Sequence, residues 1–276
     1  MAKIISIHSF RGGTGKSNVT ANLATAIARA GYRVGIVDTD IQSPGIHVPF
    51  GLDDTKVKYT LNDYLWGRCA IDAATYDVSS VFTTRQKTNW FGNNRSKIYL
   101  IPSSIKTGEI SRILREGYDA RLLNDGFRHL VQRLQLDYLF IDTHPGINEE
   151  TLLSAIISDV LLVILRPDKQ DYQGTAVTID VARKLEVPKM LLIVNKALPS
   201  LNFEALKHQI QGTYNVPVAG ILPVCEEMFH LGSSDIFCLR YPEHPWTKTV
   251  SAIAKHISES SKPVNQPFQL GRRCDR

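Results

Sequence analysis

Phe10-Arg11-Gly12-Gly13-Thr14-Gly15-Lys16-Ser17 contains the residue types, in the order, needed to hold a polyphosphate. Glycines at 12, 13 and 15 let the backbone turn tightly around Thr14 and aim its N–H groups inward, onto the positive end of the helix that follows. Lys16 would reach the β- and γ-phosphates, and Ser17 would ligate Mg²⁺. One position departs from the ordinary pattern G-x-x-x-x-G-K-[ST]: Phe10 stands where the first glycine belongs, and a cation, Arg11, follows it. Three aspartates could complete the site. Asp38 and Asp40 follow the apolar run Val34-Gly35-Ile36-Val37, and Asp142 follows Tyr138-Leu139-Phe140-Ile141. Asp142 has the form of a Walker B aspartate, a carboxylate that an apolar strand delivers to the metal's outer shell. Asp142-Thr143-His144-Pro145-Gly146 then continues as a turn suited to sensing the terminal phosphate. Each aspartate alone is as well explained as a strand-end cap; together, beside a phosphate loop, they argue for a site.

The elements that must position these residues are legible as a rhythm. Strand-like runs recur at Ile4 to Ile7, Val34 to Val37, Ile98 to Ile101, Tyr138 to Ile141, Val160 to Leu165, Met190 to Val194 and Val218 to Leu222. Between most of them lie helical patterns: Thr20 to Ala30, Tyr118 to Leu134, Tyr172 to Leu185 and Phe203 to Ile210. Such alternation predicts an α/β fold, a single doubly wound, mostly parallel sheet flanked by helices, with ligands beyond the carboxyl ends of the strands. Two stretches break the rhythm. Tyr76 to Lys97 is polar and reads as an exposed excursion, its Trp90 and Phe91 serving either as a partner contact or as anchors to the body. Ser258 to Arg276 reads as a polar, disordered tail, leaving residues 1–257 as the working domain.

Composition narrows the classes. A chain of 276 residues with 43% hydrophobic content can bury a full core. Neither a signal peptide nor a membrane-spanning run is present in the sequence, so a soluble, cytoplasmic protein is expected. Cys69, Cys225, Cys238 and Cys274 include no C-x-x-C pair, which argues against a zinc knuckle or thioredoxin-type site. A formal charge of +5 permits contact with nucleic acid or acidic lipid without requiring it.

Taken together, Arg11-Gly12-Gly13-Thr14-Gly15-Lys16-Ser17, Asp38-Thr39-Asp40-Ile41-Gln42-Ser43-Pro44 and the Asp142 segment resemble the MinD/ParA family of deviant Walker A (P-loop) ATPases. The resemblance runs to about residue 257 and implies ATP and Mg²⁺ as cofactors. It implies that two subunits close face to face over two ATP molecules, with the cation at position 11 crossing to the partner's phosphates. Lysine is usual there; arginine keeps the charge but is longer and forked, so it is not interchangeable. Asp40 matches the residue that orients the attacking water, and Asp38 the one beside metal and phosphates, while Lys16 and Arg11 would neutralise the γ-phosphoryl oxygens. Asn195, after Val194, resembles the asparagine that reads adenine, although it could equally cap a helix; Pro223, in Gly220-Ile221-Leu222-Pro223, resembles the second base-contacting loop.

The resemblance leaves the cargo open. Membrane-bound relatives carry a C-terminal amphipathic helix; here Trp246, Val250, Ile253, Ala254 and Ile257 share one face, but the opposite face offers only Lys248, Lys255 and His256, so a helix docked on the core is expected. Nucleoid-bound relatives grip DNA with scattered cations, for which Arg183, Lys184, Lys189, Lys207, Arg272, Arg273 and Arg276 are candidates; a plain solvated surface explains them as well. The expected function is a Mg²⁺-dependent ATPase that dimerises with ATP and times the positioning or partitioning of cargo on a nucleoid or other surface, served by a small activating or cargo-adaptor protein. The alternatives are an ATP-switched adaptor with negligible hydrolysis and, with weaker support, a metallochaperone or reductase component using Cys225 and Cys238.

Overall fold

A computed structural model describes residues 2–53, 55–84 and 95–259. Its strands are β1 (Lys3–His8), β2 (Arg33–Asp38), β3 (Tyr76–Asp77), β4 (Lys97–Ile101), β5 (Tyr138–Asp142), β6 (Val160–Leu165), β7 (Met190–Ala197) and β8 (Val218–Pro223). They form one sheet in the order β3-β4-β2-β5-β1-β6-β7-β8, parallel throughout except for β3. The seven expected strands are all present; β3, two residues long at the sheet edge, is too short to leave a periodic signal.

The helices are α1 (Lys16–Arg29), α2 (Leu61–Leu65), α3 (Val81–Thr84), α4 (Thr107–Glu116), α5 (Ala120–Arg133), α6 (Glu149–Ile156), α7 (Lys169–Lys184), α8 (Phe203–Tyr214), α9 (Glu226–Leu231), α10 (Phe237–Arg240) and α11 (Pro245–Glu259). Side-chain caps start several of them: Asn148 Oδ1 accepts from Thr151 N, Asp168 from Gln170 N and Asp171 N, and Asn202 from Ala205 N.

Strand periodicity distributes the core over both faces of the sheet. Along β6, Val160, Leu162 and Ile164 join the cluster under α1 and α11, while Leu161, Val163 and Leu165 join the opposite one. Helix α1 lies between the sheet and α11, which explains its alanine-rich sequence: Ala21, Ala24 and Ala28 are fully buried and let helix and sheet approach closely. Trp246, Val250, Ile253, Ala254 and Ile257 of α11 are buried in that same cluster, and burying each of the larger side chains contributes about 1.5–3 kcal/mol. That apolar face is therefore spent on the core.

The described start of the stretch 76–97 differs from the expected exposed excursion. Val78, Val81 and Phe82 are buried with the α1 cluster, so its first part is a core-anchored edge. Trp90 and Phe91 lie outside the described residues, as does the expected tail from 260; α11 itself continues through Glu259.

Candidate functional site

Parallel order places every candidate residue at one edge of the sheet. The loop 9–15 leaves the carboxyl end of β1, and its neighbours β5 and β6 lead away in opposite directions of the strand order, the crevice where ligands bind in such sheets. Asp38 and Asp142 are register partners at the ends of β2 and β5, and Ala197 and Pro223 are partners at the ends of β7 and β8.

The loop conformation requires its glycines. Gly15 adopts φ +89°, and a Cβ on it would fall 2.5 Å from Asn195 Nδ2. Asn195 comes that close because its amide donates to Thr14 O at 2.7 Å, while Lys196, itself at φ +56°, donates from Nζ to Gly13 O at 2.8 Å. The expected base reader thus braces the phosphate loop from β7, with its Nδ2 engaged there. Phe10 has a structural reason as well. Its ring fills the space above Gly174 on α7, where a Cβ would sit 2.1 Å from Phe10 Cδ1.

Lys16, Asp38, Asp40 and Asp142 converge in the interior. Lys16 Nζ is 3.1 Å from Asp142 Oδ1 and 3.8 Å from Asp40 Oδ2, and all four side chains are buried. Asp40 N donates to Asp38 Oδ1 (3.0 Å), Gly45 N to Asp38 Oδ2 (3.3 Å) and Ser43 N to Asp40 Oδ1 (3.2 Å). Complete burial pushes the Asp38 carboxyl well above the usual carboxylate range, the nearby Asp142 charge pushes it further, and Lys16 opposes both. Burial raises Asp40 too, against the pull of Lys16 and His144.

This arrangement fits a divalent cation. Three aspartates share one lysine, and Asp142 Oδ2 is buried with no hydrogen-bond donor among the described residues. An all-oxygen donor set suits a hard ion such as Mg²⁺; Asp142, Asp38 and the half-buried Ser17 on the first turn of α1 could hold it directly or through water.

Arg11 is not with this group. Its guanidinium turns to the start of α7, 3.5 Å from Asp171 and 3.9 Å from Asp168, and Arg166 shares both carboxylates. Two further residues complete the surroundings, of which Thr20 was missed from sequence. Thr20 Oγ1 lies 2.9 Å from Asp142 Oδ1, and its position one turn after Lys16 on the same helical face was the available signal. His144, inside the turn expected to sense the terminal phosphate, puts Nε2 3.9 Å from Asp40 Oδ1.

Cys225 and Cys238 do not form a metal pair. Cys238 is buried in the core, where its N–H donates to Asn22 Oδ1, and burial pushes its thiol up to about 12. Cys225 instead neighbours Glu227 and His244. His244 Nδ1 accepts from Trp246 N at 3.1 Å, capping α11, so the neutral ring carries its proton on Nε2, facing Glu227 Oε2 at 3.7 Å. That nitrogen has no lone pair to give a metal. Of the candidate DNA contacts, Arg183 is committed to Tyr214 O and Asp180; Arg272, Arg273 and Arg276 lie outside the described residues.

A strand–loop–helix with a buried lysine, joined by strand-end aspartates on a parallel sheet, defines a P-loop nucleotide-binding protein. A sequence profile of the ParA group, the NUBPL iron-transfer P-loop NTPases, matches residues 1–258. The chain belongs to this ParA-type P-loop NTPase family. Among its relatives, an uncharacterized ATP-binding protein of Methanocaldococcus jannaschii is 28% identical, over 93% of this chain and 88% of its own. The septum site-determining protein MinD of Synechocystis is 26% identical over 81% of this chain and 76% of its own. An iron–sulfur cluster carrier protein of Pyrococcus furiosus is 27% identical over 69% of this chain, which spans only 60% of that relative's length. The fold is that of the cell division ATPase MinD of Pyrococcus furiosus, with a TM-score of 0.75 at 22% identity over 95% of this chain and all of the other. MinD of Pyrococcus horikoshii, solved with Mg-ADP, superposes with a TM-score of 0.74 at 23% identity, over 94% and 97% of the two chains.

Among the described residues, no helix is long and apolar enough to cross a membrane.

Proposed function

We propose that the chain is a Mg²⁺-dependent ATPase that closes into a dimer over ATP and uses hydrolysis to time the positioning or partitioning of a cargo. The observation that carries this reading is the buried cluster of Lys16, Asp38, Asp40 and Asp142, which holds more negative charge than one lysine neutralises. Mg²⁺ would supply the missing positive charge and polarise the phosphate oxygens. Lys16 would then exchange its carboxylate partners for the β- and γ-phosphates, Asp40 would be freed to take up the attacking water, and Arg11 would leave α7 for the partner's phosphates. Gly12, Gly13, Thr14 and Gly15 would surround the phosphates with N–H groups, and Asn195 Oδ1 and the Pro223 loop would meet the base. Residues 1–257 would form the ATPase domain.

Cluster carriage, which the name of the Pyrococcus carrier describes, has less support here. A cluster needs paired thiolates, and Cys238 is a buried core residue whose thiol burial keeps protonated. One observation favours a second reading, an adaptor that binds ATP but turns it over negligibly: Arg11 is already paired within its own subunit by Asp171 and Asp168. Single-turnover hydrolysis with Mg²⁺, with and without DNA or liposomes and with Lys16→Gln as blank, separates the two. Phosphate release supports the ATPase; ATP binding without release under every condition supports the adaptor.

A further inference from the structure

We infer that Lys196 is the platform for the nucleotide's base, its methylene stem lying against one face of the ring while its amine is fixed on the phosphate loop; this rests on the ATPase reading above. Lys196 stands at φ +56°, in the left-handed region that glycine or asparagine adopts at little cost and a long side chain does not. The sheet is irregular at the same place. From Val194 to Ala197 β7 advances three residues, while its partner β8 advances two, from Ile221 to Pro223, so β7 carries one extra residue, a bulge. In a regular strand Asn195 and Lys196 would point to opposite faces. The bulge turns both toward the phosphate loop: Asn195 Nδ2 donates to Thr14 O at 2.7 Å, and Lys196 Nζ donates to the adjacent carbonyl, Gly13 O, at 2.8 Å. A carbonyl only accepts, so the amide nitrogen of Asn195, not its oxygen, must face the loop.

A long side chain held in a strained backbone conformation at a site edge points to a use for that side chain. Charge is not the use in this state, since among the described residues Lys196 makes no ion pair and its amine rests on a neutral carbonyl. What the amine does is stretch the stem. Fixed at one end by the backbone of β7 and at the other by Gly13 O, the methylenes run past Gly15, with Cε 3.7 Å from the point where a Cβ on that glycine would sit. Lys196 is exposed while Asn195 beside it is buried, so the stem is an apolar strip open to solvent at the carboxyl edge of the sheet. Its surroundings are of the same kind. Leu198, 58% exposed, follows Ala197, and Pro223 is the register partner of Ala197 on β8. Asn195 Oδ1 has no hydrogen bond among the described residues and is left to accept one. A flat ring with an exocyclic amine matches this set: its face covers the stem, and its N–H reaches Asn195 Oδ1. Because the same two side chains hold the carbonyls of Gly13 and Thr14, a base seated on them also steadies the loop that grips the phosphates.

The test is titration calorimetry with Mg-ATP and with the Mg²⁺ complex of ribose 5-triphosphate, which lacks only the base, on the unaltered protein, Lys196→Gly and Lys196→Arg. Glycine takes the left-handed backbone without strain, so Lys196→Gly removes the side chain while easing the fold. The ratio of the two dissociation constants, ribose 5-triphosphate over ATP, reads what the base contributes. It should fall by about fivefold to thirtyfold in Lys196→Gly and stay within about threefold of the unaltered value in Lys196→Arg, which keeps both a stem and a donor. Equal losses for the two ligands would make Lys196 a brace for the loop or a phosphate contact, and overturn the inference. A ratio in Lys196→Arg no higher than in Lys196→Gly overturns it too, and in both cases ATP binding by the unaltered protein leaves the nucleotide-binding reading standing. No ATP binding by the unaltered protein overturns both.

Discussion

At the scale of single residues, buried ionisable groups set opposite pH responses around the site. His8, at the end of β1, is buried, and burial together with the charges of Lys16 and His144 lowers it from 6.5 to about 3. The folded chain refuses a proton that the unfolded chain binds, so this stability is full above about 6.5 and is lost as pH falls toward 3. Thr143 Oγ1 donates its one proton to Ile7 O, so His8 Nδ1 donates to Thr143 Oγ1, and His8→Asn is a replacement able to keep a donor. In chemical denaturation the unaltered protein should lose about 2–3 kcal/mol relative to His8→Asn on going from pH 7 to pH 4.5. Asp38 runs the other way. Its folded pKa is raised above 3.8, so stability is lost as pH rises through the folded value. Asp38→Asn should therefore raise the melting temperature of the metal-free protein by a few degrees at neutral pH while abolishing further stabilisation by Mg-ATP, both read in one thermal series with and without EDTA.

At the scale of elements, the phosphate loop depends on α7 as much as on α1. Phe10 occupies the space that Gly174 leaves open, and the same helix start holds Arg11 through Asp168 and Asp171. Gly174→Ala should cost about 1–3 kcal/mol by forcing ring or helix aside and should weaken nucleotide binding. Phe10→Ala in the same chain should restore most of the stability, measured by urea denaturation. On the opposite face, Ile253→Ala should cost about 2–5 kcal/mol, because α11 completes the cluster that buries α1. Much of this level was legible. The seven core strands are apolar runs of the right length, and α1, α5, α7 and α8 repeat their apolar residues at helical spacing. Helices α2, α9 and α10 have six residues or fewer and offer no period to detect. Helix α6 is eight residues long and follows the strand-end turn without a break, so its Asn148 cap was the only cue.

At the scale of the whole molecule, the pairing of Arg11 with α7 sets a threshold for the proposed dimer, since a cation held within its own subunit must be released before it can cross to the partner. Asp168→Asn keeps a capping oxygen for α7 but removes one of the two carboxylates facing Arg11. It should shift ATP-dependent dimerisation to lower nucleotide concentration by light scattering, while Asp40→Ala, which still binds ATP, should accumulate the dimer; a strictly monomeric Asp40→Ala would remove the sandwich from the mechanism.

The amino-acid order by itself determined the strand–loop–helix around Lys16 and the strand-end aspartates, because backbone turns, helix starts and apolar strands are local properties of a few consecutive residues. Resemblance at those same motifs carried the family. Only the tertiary structure decided that Asn195 and Lys196 brace the loop, that Phe10 belongs to Gly174, that Arg11 rests on Asp171, and that His144 faces Asp40. Each of these joins side chains from elements separated in sequence, and the relation between them exists only once the parallel sheet has brought its strand ends to one edge.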